Sequence, residues 1–237
     1  SEFVMLALMV GIILFLFFAS VPHLSADNFG GFSARDAFLP YGVTLFALAG
    51  GAAIPAVRDI LKGEERAMRR AVTLGTLIPV FLYVLFVVAV LGVSGQATSE
   101  NALSSLSGAL GESVVFLGAA LGILLVATSY LVFGLYLKDM LRYDMGVSGR
   151  LALGFVLFVP LALVFVPWDS FIEIIGFLGA LIGGVEGIFL ITIWRRARAR
   201  GDRDPEYALR VPPAALYALM CLFFAGIVYI MFFDGRV

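Results

Sequence analysis

The chain of 237 residues is 62% apolar and only 14% charged, whereas an ordinary soluble domain is about one quarter charged, so water is not the solvent for most of its surface. Sixteen Lys and Arg against seventeen Asp and Glu leave a net charge near −1, which indicates neither the basic surface of a nucleic-acid binder nor an acidic solvating tail. One cysteine, Cys221, and one histidine, His23, offer neither a disulfide pair nor a His/Cys cluster for a transition metal.

Seven apolar stretches follow one another at residues 3–21, 39–61, 71–94, 114–137, 151–166, 170–194 and 211–233, lettered a to g in chain order. A hydrocarbon core of about 30 Å takes about 20 helical residues, and uninterrupted apolar runs exclude the alternating pattern of a β-barrel. The expected fold class is an all-α membrane protein with seven transmembrane helices, forming a single transmembrane domain over residues 1–237. Span e has only 16 residues and needs a thin place, shielding neighbours or its polar flanks to cross. The chain opens on Ser1 and runs straight into span a, without the basic start of a signal peptide. It is expected to be incomplete at the N-terminus.

Orientation follows from the short connections. Arg58, Lys62, Arg66, Arg69 and Arg70 lie between b and c; Lys138, Arg142 and Arg150 between d and e; Arg195, Arg196, Arg198, Arg200, Arg203 and Arg210 between f and g. These fourteen of the sixteen basic residues share one side, with Arg35 and Arg236 on the other. The first side is expected to be cytoplasmic, which starts the chain inside and ends it outside. The a–b and c–d connections are then external, rich in Gly, Ser and Asn, and carry no pattern that demands a domain.

Span b contains Ala49-Gly50-Gly51-Ala52-Ala53 at its middle, followed by Pro55. Each glycine costs about 1 kcal/mol in a helix relative to alanine, and Pro55 cannot donate to the carbonyl of Gly51. Two half-helices at about 40–48 and 53–61 are predicted, divided at mid-membrane. A packing kink and a transporter-type discontinuous helix both fit these residues.

Span d carries Thr128-Ser129. The two hydroxyls either bond back to carbonyls of their own helix or complete a cation shell with carbonyls of another, unwound helix. Span f carries Glu186, eight residues before Trp194 and so about 12 Å in from the helix end. An intramembrane carboxylate usually faces protein or water, as a protonatable coupling group or as a hydrogen-bonded structural one. Gly179, Gly183 and Gly187 on the same span suit a close helix contact. Two GxSG strings, at Gly92–Gly95 and Gly146–Gly149, lie at span ends on opposite sides. A serine protease needs a histidine beside its serine, and His23 sits at the outer end of span a.

From span b onward a family resemblance is specific. The stretch LFALAGGAAIPAVRDILKGEERAMRRAVTLGTLIPVFLYVLFVVAVLGVSG resembles the sixth and seventh helices of the hydroxy and aromatic amino acid permeases, the tryptophan/tyrosine permease group of the amino acid–polyamine–organocation superfamily. The shared features are the glycine-broken helix, the Ile-Pro, the charged turn and a mid-helix Pro-x-x-x-Tyr, here Pro79 and Tyr83. The segment ATSYLVFGLYLKD is similar to that group's eighth helix.

The resemblance implies a LeuT-like fold of two inverted five-helix repeats plus extra helices, with spans a to g as helices five to eleven. It implies that Phe46, Ala49, Gly50 and Gly51 form the unwound substrate-facing segment. It also implies that Thr128 and Ser129 occupy the sodium position of sodium-coupled members. Ala47 and Ala49 stand where some related transporters carry polar residues. Glu186 is assigned a coupling role by its depth alone.

The expected function is secondary active transport of an aromatic or other apolar amino acid by alternating access, coupled to Na+ or H+. The alternative is a non-transporting seven-helix subunit or assembly module. Catalysis is not expected, nor any cofactor beyond a coupling ion such as Na+. The expected partners are an amino acid, the bilayer of the plasma (inner) membrane and N-terminal helices of the same protein, with no nucleic acid.

Overall fold

The computed structural model describes residues 2–31, 38–166, 171–200 and 211–232, and among them all regular structure is helical. The helices are α1 (Glu2–Ser20), α2 (Leu39–Ala47), α3 (Ile54–Ile60), α4 (Glu65–Ser94), α5 (Ala102–Ser105), α6 (Ser107–Leu110), α7 (Glu112–Asp139), α8 (Gly149–Val164), α9 (Phe171–Leu178), α10 (Gly184–Arg200) and α11 (Pro213–Phe232). Arg35, Arg203, Arg210 and Arg236, which enter the orientation argument, lie outside the described residues.

Among the described residues, five helical stretches are long and apolar enough to cross a membrane: Phe3–His23, Arg66–Ala97, Glu112–Asp144, Phe171–Ala197 and Pro213–Phe232. The two remaining apolar spans differ from simple spanning helices. Span e is the 16-residue α8, and span b is divided into α2 and α3. Large side chains such as Phe116, Phe133, Phe158 and Phe189 point outward, the distribution expected when hydrocarbon is the solvent. The chain is a multi-pass helical membrane protein. Helix α4 starts six residues ahead of span c, because Glu65-Arg66-Ala67-Met68-Arg69-Arg70 are strong helix formers that extend it into the charged turn.

The chain forms two compact units. The first comprises Ser1–Phe29 and Leu85–Asp169, the second Gly30–Val84 and Ser170–Val237. In the first unit Leu16, Val90 and Leu106 form a buried core. Leu106 comes from the c–d connection, whose sequence carries no pattern that demands a domain. Leu103, Leu106 and Leu110, at helical spacing, seat two short helical turns on this core. At the end of α4 the Gly92 carbonyl accepts hydrogen bonds from the Ser25 N–H (2.9 Å) and Asn28 Nδ2 (2.7 Å), and Asn28 also reaches the Val93 carbonyl at 3.2 Å. These are carbonyls that a helix end leaves without intrahelical donors. Asn28→Ala is expected to lower stability by about 1–3 kcal/mol, read as an earlier thermal unfolding transition in detergent.

Pro160 removes the N–H that would serve the Val156 carbonyl inside α8. The Tyr130 hydroxyl on α7 donates to that carbonyl instead, at 2.8 Å. This replacement donor keeps an apolar helix pair free of an unsatisfied acceptor, which lipid does not tolerate.

In the second unit α2 packs on α9 and on the π-helical turn Gly179–Gly183 that joins α9 to α10. Only glycines allow this approach: a methyl group on Gly42 would overlap the Gly176 carbonyl, and one on Gly179 would overlap the Gly42 carbonyl. Gly183 lies against Leu45, while Gly184 and Gly187 face Ile227 and Phe223 of α11. A π turn holds one residue more than an α turn, and the span's glycines are divided between α2 and α11. Tyr41 of α2 packs on Gly226 and donates a long 3.4 Å hydrogen bond to the Phe223 carbonyl. Phe38 stacks near Tyr229, with ring centroids 5.6 Å apart.

Candidate functional site

The predicted break in span b is present, with its edges within a residue of the expected half-helices. Helix α2 closes at Ala47, with the Leu48 N–H reaching the Thr44 carbonyl at 3.0 Å and the Ala49 N–H reaching Phe46 at 3.3 Å. Residues Gly51–Ala53 then form a single 3-10 turn before α3. Pro55 cannot serve the Gly51 carbonyl, and the N–H of Ile54 does so in its place. Helix α2 ends at Ala47 and α3 starts at Ile54, so the C-terminal carbonyls of one helix and the first N–H groups of the next both fall at the break.

The break is one wall of a cavity of about 350 Å³, within the range of small-molecule sites. Ala47, Leu48, Ala49, Gly50 and Gly51 line it from the break, and Ile54 and Val57 from α3. The opposite wall is α4, through Ala71, Val72, Gly75, Thr76, Pro79 and Tyr83. That wall was missed as a site element, although Ala71, Gly75, Pro79 and Tyr83 recur every four residues and so share one helix face. The Tyr83 hydroxyl donates to the Ala47 carbonyl at 3.2 Å. Thr76 turns its hydroxyl onto its own helix, donating to the Val72 carbonyl at 2.9 Å.

The structure also joins two residues that the sequence kept apart. Glu186, in the first turn of α10, brings its carboxylate to the break, where a methyl group on Gly51 would lie 3.4 Å from Oε1. The π turn immediately before α10 is a feature often found at functional sites.

Of the residues expected to face substrate, Ala49, Gly50 and Gly51 line the cavity. Phe46 does not; its Cβ is placed against the π turn, 2.9 Å from where a methyl group on Gly179 would stand. Thr128 and Ser129 lie on α7 in the first unit. Ser129 is exposed there, and the Thr128 side chain is outside the described residues.

A glycine-divided helix beside a cavity in a multi-pass helical protein is a feature that many membrane transporters use at their binding sites. The model of the tryptophan/tyrosine permease family matches residues 2–232, and the chain belongs to that family. Membership points to amino acid transport rather than to an enzyme. No curated protein and no solved structure matched the chain.

Proposed function

We propose that the protein is a secondary active transporter of an aromatic or other apolar amino acid, operating by alternating access about the break between α2 and α3. The observation that carries this proposal is the break itself. Residues Ala47–Gly51 line a cavity of about 350 Å³, and a carboxylate stands against Gly51. The backbone donors and acceptors gathered at the two helix ends suit the substrate's ammonium and carboxylate groups, while Ile54, Val57, Val72 and Pro79 suit an apolar side chain. On this proposal the seven apolar spans are helices five to eleven of a LeuT-like fold in the plasma (inner) membrane. The charged b–c, d–e and f–g connections are cytoplasmic, the chain starts inside and ends outside, and a second broken helix of the same transporter supplies a further part of the site.

The cavity reaches along α3 and the first half of α4, toward the connection that carries Arg58, Lys62, Arg66, Arg69 and Arg70. By the positive-inside rule this is the cytoplasmic route. Coupling is to H+ through Glu186 or to Na+ through Thr128 and Ser129. Uptake of labelled L-tryptophan and L-tyrosine into proteoliposomes tests the function directly. With a proton gradient as the drive, Glu186→Gln is expected to abolish accumulation above equilibrium, because the coupling proton has lost its carrier, while substrate exchange at zero gradient continues. Accumulation that is unaffected by Glu186→Gln but lost when Na+ is removed would assign coupling to the hydroxyl pair instead.

A further inference from the structure

Two tyrosine hydroxyls in this protein donate to carbonyls that have lost their helical donor, and they do so in different surroundings. Tyr130 serves Val156 opposite Pro160, at an apolar contact of two helices. Tyr83 serves Ala47 at the last turn of α2, and both residues line the cavity. The helix ends before residue 51 donates to Ala47, so the Ala47 carbonyl would otherwise be an orphan acceptor at the negative end of a helix dipole. A carbonyl oxygen has two lone pairs, and a tyrosine hydroxyl both donates and accepts. With one lone pair of Ala47 held by Tyr83, the second remains, and the phenolic oxygen keeps its own acceptor capacity beside it.

We propose that Tyr83 is the positioning residue for the substrate's ammonium group: its hydroxyl holds the Ala47 carbonyl against the cavity as an ammonium acceptor, forming with it a two-oxygen seat on the α4 side of the break. The assignment rests on the transport function proposed above. It accounts for the Pro-x-x-x-Tyr spacing, because Pro79 and Tyr83 occupy successive turns of the same cavity wall. The seat favours a group with several N–H donors, such as ammonium, over an apolar one, which would leave the second lone pair of Ala47 and the acceptor capacity of the phenolic oxygen unused.

The test compares Tyr83→Phe with Tyr130→Phe in the protein expressed from its native gene, using L-tryptophan and L-tyrosine uptake normalised to protein in the membrane. Each variant removes one hydroxyl from a carbonyl that lacks its helical donor and leaves the ring in place. Tyr83→Phe is expected to raise KM about tenfold, as for loss of a hydrogen bond to a charged group, with the maximal rate changed less than about twofold on the same basis. Tyr130→Phe is expected to lower thermal stability and leave KM unchanged. The substrate-induced rise in Tm of the purified protein gives a second reading, expected to shrink for Tyr83→Phe at fixed substrate concentration. An unchanged KM for Tyr83→Phe, or an equal rise for both variants, would overturn the assignment while leaving transport itself intact. Absence of uptake by the unmutated protein would overturn the transport proposal, and this one with it.

Discussion

Replacing Gly51 with leucine is expected to reduce amino acid uptake to background while the protein still inserts in the membrane. Gly51 opens the 3-10 turn of the break and lines the cavity. Its missing side chain leaves the space into which Glu186 points: even a methyl group there would stand 3.4 Å from Oε1. That is ordinary contact, so Gly51→Ala is expected to retain part of the activity. The branched leucine side chain has to displace the carboxylate, fill the cavity or close the turn, and each outcome removes a component of the proposed site. Insertion is governed by the long apolar stretches, which this substitution leaves unchanged. Surface labelling and uptake measured on the same membranes check the expectation. Normal uptake by Gly51→Leu at normal expression would show that substrate does not pass the break.

A large effect of the opposite kind is expected at Gly42, on stability rather than on transport chemistry. A methyl group there would overlap the backbone carbonyl of Gly176, and one on Gly179 would overlap the carbonyl of Gly42. The obstacle in both cases is main chain, which does not rotate away as a side chain does. Gly42→Ala and Gly179→Ala are each expected to cost about 3 kcal/mol, the upper end of overpacking penalties, and to lower both Tm in detergent and the amount of folded protein. Gly176 supplies an internal control from the same contact. A methyl group on it meets nothing nearer than Val43 Cγ2 at 3.7 Å, so Gly176→Ala is expected to be nearly neutral. Equal Tm values for the three variants would mean that α2 does not rest on α9 and the π turn through these glycines.

The sequence by itself determined the solvent, the succession of apolar spans and the place of the break. Those properties are local: lipid selects long apolar helices, and two glycines followed by Ile-Pro disfavour continuous helix wherever they occur. The Pro-x-x-x-Tyr spacing was equally visible as a feature of the resemblance. Its use was not, because which carbonyl a hydroxyl meets depends on the neighbouring helix, and Tyr83 finds Ala47 some 36 residues away in the chain.

Only the tertiary structure decided that the carboxylate of Glu186 belongs to the break. Depth placed it near mid-membrane, but the direction of a side chain around its helix depends on every residue between it and the contact. The π turn at Gly179–Gly183 alters that count without a clear signature in composition. The same turn distributes the glycines of span f between two neighbours, where a repeat of every fourth residue indicated a single face. Phe46 shows the same limit from the other side: adjacent in sequence to the cavity-lining Ala47, it packs toward the π turn, because successive residues of a helix point about 100° apart. Span order and the interruption of a helix are written in local chain energetics, whereas the convergence of Gly51, Glu186, Ala47 and Tyr83 is set by tertiary contacts, among them the packing of α2 on α9 and the π turn and the hydrogen bond from Tyr83 of α4 to Ala47.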